Sequence, residues 1–173
     1  NERNIVKSYM KAQETEFRQQ LLNMLPKLKR YCYAQTGEKH SADDLMQSSV
    51  EKALRRWQQY QPGTEFERWM YRLCRNHWID TMRTEKISDE LNDDIMVASD
   101  VENPEQQALT QAALRHMQIH FNALSEGLRM VLYLVAVEGR SYQEAADILD
   151  IPAGTVMSRL ARARKQLAEA SQR

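Results

Sequence analysis

Residues 141–167 read SYQEAADILDIPAGTVMSRLARARKQL. Ser141 followed three residues later by Glu144 is a capping box, in which a hydroxyl and a carboxylate satisfy free amides at a helix start. Tyr142, Ala145, Ala146 and Leu149 follow at helical spacing and form the predicted buried stripe. Asp150, Ile151 and Pro152 supply a turn. A longer helix is expected over residues 153–168, with Val156, Leu160, Ala163 and Leu167 confined to one narrow arc. The opposite arc carries Thr155, Ser158, Arg159, Arg162 and Lys165. Short helix, tight turn and longer helix make a helix-turn-helix. Residues 153–168 hold four basic side chains and no acidic one. Their polar face opens at a helix N-terminus, where unpaired amides favour phosphate. Arg and Ser on such a face can contact base edges, and Lys and Arg can hold phosphates. A basic face alone is the usual state of a solvated helix; the capping box, the turn and the one-sided charge together point to DNA.

Upstream of this motif the chain remains helical in pattern. Helices are expected near residues 105–121 and 125–137, the second stopped at Gly139. In the N-terminal half, Leu21, Leu22, Leu25, Leu28 and Cys32 lie at helical spacing until Thr36 and Gly37 interrupt them. Ser41 is the expected N-cap of a helix over 42–57, with an inner stripe of Met46, Val50, Ala53, Leu54 and Trp57. The sequence QPGT at 61–64 breaks the chain, and a further helix follows over 65–83. Glycine (5) and proline (4) are too scarce to interrupt many helices, and no segment alternates at period two, so no sheet is expected. The net charge is zero, but it is unevenly spread. Residues 1–86 carry 16 Lys/Arg against 11 Asp/Glu, residues 87–107 none against seven, and residues 108–173 eight against six. The expected architecture is all-α: two small helical domains, 1–86 and 108–173, joined by an acidic flexible linker at 87–107.

Two further faces stand out. On the 65–83 helix, Arg68, Arg72, Arg75 and Arg83 share one arc, with Asn76 at its edge. Phe66, Trp69, Met70 and Leu73 point the other way, and Tyr71, Trp78 and Met82 occupy a flank. Basic residues interleaved with aromatics suit single-stranded DNA, because charges track the backbone and rings stack on bases. Each ring singly is better read as packing in a small helical core. On the preceding helix Asp44, Gln47, Ser48 and Glu51 share one side, a stripe that is either solvated or a docking face for a basic helix. The two cysteines, Cys32 and Cys74, are isolated and read as free buried thiols. No metal cluster, phosphate-binding glycine loop or nucleophile motif is visible, so neither a cofactor nor an enzyme is expected. No secretory leader and no apolar run of about 20 residues is apparent, and a cytoplasmic location is expected.

The stretches SADDLMQSSVEKALRRWQQY, EFERWMYRLCRNHWIDTMR and ALSEGLRMVLYLVAVEGRSYQEAADILDIPAGTVMSRLARARKQL resemble regions two and four of bacterial RNA polymerase sigma factors of the extracytoplasmic-function (ECF) subgroup. The resemblance covers more than half the chain. It implies a non-enzymatic initiation factor that binds core RNA polymerase at the β′ clamp helices and the β flap. Asp44, Leu45 and Gln47 would lie in the clamp-binding segment, with Glu51 on the same stripe. Arg75 and Asn76 would sit on the helix that opens the promoter −10 element, joined by Arg68 and Arg72. The 61–64 loop, with Gly63 and Thr64, would help capture a flipped base. Thr155, Ser158, Arg159 and Arg162 would enter the −35 major groove, with Lys165 on phosphate. An anti-sigma factor is the expected regulator. The segment departs from the family at Ser41-Ala42-Asp43-Asp44, one acid short, and at Ser48-Ser49, where acids are common. Phosphorylation near these serines is an alternative form of control. Two rival readings stay open on sequence: a helix-turn-helix regulator with a sensory N-terminal half, and an adaptor that binds an anti-sigma factor.

Overall fold

The computed structural model describes residues 1–89 and 108–172, so the expected acidic linker lies almost wholly outside them. Among the described residues every regular element is helical. The N-terminal half comprises α1 (Glu2–Thr36), α2 (Lys39–Arg55), a short 3-10 turn (Trp57–Gln59) and α3 (Phe66–Asp89). The C-terminal half comprises α4 (Ala108–Ala123), α5 (Glu126–Leu132), α6 (Tyr142–Leu149) and α7 (Ala153–Ser171).

In α1 the buried residues Phe17, Leu21, Met24, Leu28, Tyr31 and Cys32 alternate at spacings of three and four, so one stripe faces the bundle. Met24 joins this stripe; of the expected residues Leu25 is half-buried and Leu22 points outward. The helix ends at Gly37, whose φ of 75° is left-handed and whose amide donates to the Tyr33 carbonyl at 2.8 Å. The next helix starts earlier than its sequence suggests. Glu38, not Ser41, is the N-cap of α2, its carboxylate accepting from the amides of His40 and Ser41 at 2.7 and 2.8 Å. A carboxylate long enough to reach both amides displaces the hydroxyl, and Ser41 Oγ itself donates to Glu38. These bonds hold the Glu38 carboxyl below its ordinary range.

The buried stripe of α2 is Ala42, Leu45, Ser49 and Ala53, turned by about one position from the expected one. Met46, Val50 and Trp57 are half-buried, and Leu54 is 38% exposed. In α3 the buried residues are Phe66, Met70, Tyr71 and Cys74. Phe66 and Trp69 join Phe17 and Tyr60 in an aromatic knot with centroids 5.2–6.0 Å apart. Cys32 and Cys74 are both buried free thiols, with sulfurs 3.5 Å apart between α1 and α3.

The core does not stop at the halves. Tyr31 of α1 stacks on Tyr71 of α3 (4.3 Å, 13°) and meets the edge of Tyr133 at 6.4 Å. Tyr133 opens a π-helical turn, Tyr133–Val137, where a regular helix was expected to continue to 137. There the Glu138 amide reaches back to the Tyr133 carbonyl at 3.0 Å, and the Arg140 amide to Leu134 at 2.8 Å. Gly139, at φ 69°, then turns the chain as predicted. In the capping box Ser141 Oγ accepts from the Glu144 amide at 3.1 Å. The Glu144 carboxylate receives Arg140 at 3.2 Å. Ala145, Ala146 and Leu149 are buried as expected, but Tyr142 is 39% exposed and Ile148 packs instead. Asp150 makes the turn in the left-handed region, at φ 52°. α1 packs on α2, α3 and α5; α3 lies against α6; α5 and α6 carry α7.

Candidate nucleic-acid interface

The second helix of the helix-turn-helix is seated by Val156, Leu160 and Ala163, all buried, with Leu167 packed against the core. That fixes its opposite face outward. Ser158, Arg162 and Lys165 are exposed, and Thr155 is half-buried. Ser158 Oγ donates to the Thr155 carbonyl at 3.1 Å, which orients the hydroxyl near the helix start. Arg159 is also half-buried. Its guanidinium lies over α5, where a side chain added at Gly127 would come within 3.1 Å of Nη1. Four of the five expected groove residues therefore share a continuous surface, while Arg159 leans back toward the domain.

The basic face of α3 divides into two parts. Arg72, Asn76 and Arg83 are exposed. Arg75 is half-buried and donates to Asn76 Oδ1 at 3.1 Å, so the two act as a pair. Arg68 at the other end is already engaged, by Glu65 at 2.7 Å and by Asp147 of α6 at 3.1 Å. Of the flanking rings, Trp78 is half-buried in the cleft it shares with α2, and Tyr71 is structural. Tyr71 is fully buried, and its hydroxyl donates to Glu138 at 2.6 Å. Burial pushes that phenol well above its ordinary value, and the Glu138 bond adds to the shift. Trp69 belongs to the aromatic knot. The loop ahead of α3 is exposed throughout 61–65 and is held in shape. Gly63 adopts φ 90°, Thr64 Oγ1 donates to the Gln61 carbonyl at 2.7 Å, and Tyr60 donates to the Thr64 carbonyl at 2.8 Å.

On α2, Asp44, Gln47 and Glu51 are exposed on one side. Leu45 is not part of that surface: it is 4% exposed and belongs to the core. Ser49 is fully buried, and Ser48 is half-buried in a cleft shared with Trp78. Ser41 already bonds Glu38. Of the three serines, Ser41 is bonded, Ser49 is buried and Ser48 lines the cleft.

Sequence reasoning missed the polar contacts between the halves, because they pair residues 67–95 positions apart. Arg140 donates to Glu65 and Glu67 of α3. Arg129 donates to the last carbonyls of α1, Ala34 and Gln35. Gln35 donates to Glu126, and Gln118 to Tyr33 Oη at 2.7 Å. The π-helical turn and Gly139, which aim Glu138 and Arg140 at the other half, left only the glycine as a signal. An apolar groove of about 560 Å³ runs between α4, α5 and α7, lined by Leu114, Met117, Phe121, Leu132, Val137 and Leu167. Among the described residues no group of three or more His, Cys, Asp or Glu is placed to hold a metal. No helix among them is long and apolar enough to cross a membrane.

Residues 22–87 match the family model for sigma-70 region 2, and residues 121–167 that for sigma-70 region 4. The chain is 35% identical over 141 residues to the ECF RNA polymerase sigma factor SigE of Mycolicibacterium smegmatis, covering 80% of this chain and 54% of that protein. It thus spans about half the length of that relative. It is 31% identical over 134 residues to the ECF RNA polymerase sigma-E factor of Salmonella typhimurium, covering 72% of this chain and 70% of the relative. Among solved structures it resembles the sigma factor RpoE in complex with the anti-sigma factor NepR from Bartonella quintana, with a TM-score of 0.78 and 28% identity. That likeness covers 91% of this chain and 97% of the other, so it takes in both halves.

Proposed function

The chain belongs to the ECF family of RNA polymerase sigma factors, and we propose that it binds core RNA polymerase and directs it to promoters by reading two DNA elements. The observation that carries this reading is the pair of exposed polar faces on separate halves. Ser158, Arg162 and Lys165 of α7 suit a duplex −35 element. Arg72, Arg75 and Asn76 of α3, with the shaped loop at Gly63 and Thr64, suit an opened −10 strand. The burial of Tyr71 argues that charge and amide groups, more than stacking by that ring, hold that strand. Asp44, Gln47 and Glu51 form the dock for the basic clamp helices, and Leu45 supports it from inside. Catalysis stays with the polymerase. Melting draws on binding to unpaired bases, and the reaction takes place in the cytoplasm.

An anti-sigma factor is the proposed regulator. The support is the likeness to a sigma factor solved with such a partner, together with the apolar groove on α4, α5 and α7, which suits the apolar face of a partner helix. The same groove is the candidate seat for the β flap. The three serines, capped, cleft-bound or buried, make phosphorylation the weaker alternative. Reconstituted transcription with bacterial core polymerase on a promoter library tests the function. Run-off products that depend on this chain and converge on a two-block sequence are expected. Duplex DNA binding without any association with core polymerase would favour a helix-turn-helix regulator instead.

A further inference from the structure

One turn of α4 carries two histidines, His116 and His120, in the sequence HMQIH. Residues four apart on a helix lie one above the other on the same face. Here the two rings meet edge to face, with centroids 4.2 Å apart and planes at 75°. Their Nε2 atoms converge to 3.1 Å. His116 is exposed and His120 half-buried, and both line the apolar groove beside Met117 and Phe121. Bonds from imidazole nitrogen to zinc are about 2.0–2.1 Å long. Two nitrogens held 3.1 Å apart therefore subtend about 95–100° at an ion bound to both, between the square and tetrahedral angles. A hydrogen bond between the rings uses the same separation, with one Nε2 carrying a proton and the other accepting it. An ion needs both Nε2 lone pairs, with each neutral ring protonated on Nδ1. The two arrangements differ in the tautomer of one ring and in no net proton.

We propose that His116 and His120 form a bidentate site for a divalent ion of the copper, nickel and zinc class, and that the bound ion staples α4, one wall of the apolar groove. The donor set selects the ion. Two imidazoles suit these borderline metals, whereas magnesium and calcium take oxygen ligands and copper(I) prefers sulfur. Among the described residues no third His, Cys, Asp or Glu joins the pair, so water completes the coordination. Residues 112–119 of α4 are exposed, so this turn owes little of its helical form to packing, and short helices are marginal by themselves. An ion held by both rings is bound only while the turn between them is helical. Its binding free energy is therefore added to the stability of that turn. The site does not depend on the sigma-factor reading.

The test titrates the untagged full chain with Ni2+ and with Zn2+ in a calorimeter, with Mg2+ as the hard-ion control. One Ni2+ or Zn2+ per chain and no heat with Mg2+ are expected. His116→Gln and His120→Gln should each weaken binding on the order of 100-fold, since each breaks a two-point attachment. His40→Gln, which removes a histidine of α2 that faces Asp44 at 3.6 Å, should leave the affinity unchanged. Far-ultraviolet circular dichroism is the folding control. Should a glutamine variant lose helical content, the alanine variant at the same position, a better helix former, takes its place. Hydrogen–deuterium exchange reads the staple. With Ni2+ at about 100 times its Kd, amides of residues 116–120 should exchange up to about 100-fold more slowly in the parent, and at an unchanged rate in the two variants of α4. No binding of either ion, or binding that survives both His116→Gln and His120→Gln, overturns the site. Loss of binding in His40→Gln overturns it too, by placing the ion on α2. Binding that depends on His116 and His120 but leaves exchange in α4 unchanged overturns the staple.

Discussion

Arg162 and Lys165 stand on the same exposed face of α7, yet a truncation at each should read out differently. Arg162 lies one turn beyond Ser158 and can reach base edges, whereas Lys165 lies further along, where phosphate is in range. Arg162→Ala should cost about 1–3 kcal/mol at the preferred −35 sequence and flatten discrimination among variants. Lys165→Ala should weaken all sites about equally and reduce the salt slope by about one contact. Holoenzyme binding across −35 variants at several salt concentrations separates the two; an unchanged preference order in Arg162→Ala would remove it as a reader. Leu45 and its neighbour Asp44 form a second contrast. Leu45 was expected at the polymerase contact and is buried, because it lies on the inner stripe of α2 with Ala42, Ser49 and Ala53. Leu45→Ala should cost about 2–5 kcal/mol of stability in a denaturant melt. Asp44→Arg should leave that melt unchanged and weaken association with core polymerase. If Asp44→Arg binds core as tightly as the parent, the exposed stripe of α2 is not the dock.

The elements themselves differ in how openly the sequence declares them. α7 was legible almost entirely, since Val156, Leu160, Ala163 and Leu167 are spaced by one helical period and no rival residue competes for the core. α6 was legible in its cap and in Ala145, Ala146 and Leu149, but Tyr142 is amphipathic and its position in the first turn lets the ring stay outside. α2 was legible as a helix and misread in register, because Leu45 and Met46 are adjacent and both apolar, and period alone does not choose between them. The π-helical turn after α5 had no local signal: it is held by Tyr133, Glu138 and Arg140 against partners on α1 and α3. The start of α6 allows a direct check. Ser141 satisfies the Glu144 amide, while the Glu144 carboxylate is drawn off to Arg140. Half of the reciprocal box is therefore missing, and Ser141→Ala should cost about 1 kcal/mol, as for a simple N-cap. A loss well below about 0.5 kcal/mol in thermal unfolding would show that packing alone fixes this helix start.

At the scale of the molecule the packing of the two halves includes several carboxylates paired with arginines, so it should respond to acid. Glu65 is the most informative of them. Burial pushes its carboxyl up, but the hydrogen bonds and charges of Arg140 and Arg68 outweigh that and hold it below its ordinary value. Glu144 and Asp147 of α6 and Glu67 of α3 share the same cations. A carboxyl whose value is lower in the folded contact than in the free chain stabilises that contact fully above its free value, about 4.3. The stabilisation is lost as pH falls through the lowered value. Arg129 bonds only to carbonyls and does not titrate in this range. The contact should therefore hold from neutrality down to about pH 5 and loosen below about pH 4, with the Arg129 bonds to α1 remaining. Scattering between pH 7 and pH 3.5 should show the radius of gyration rising while ellipticity at 222 nm persists. Glu65→Gln should begin from a looser state at neutral pH and show a smaller change on acidification. A radius that stays constant until helical content itself collapses would mean that the aromatic stack of Tyr31, Tyr71 and Tyr133, and not the ion pairs, keeps the two halves together.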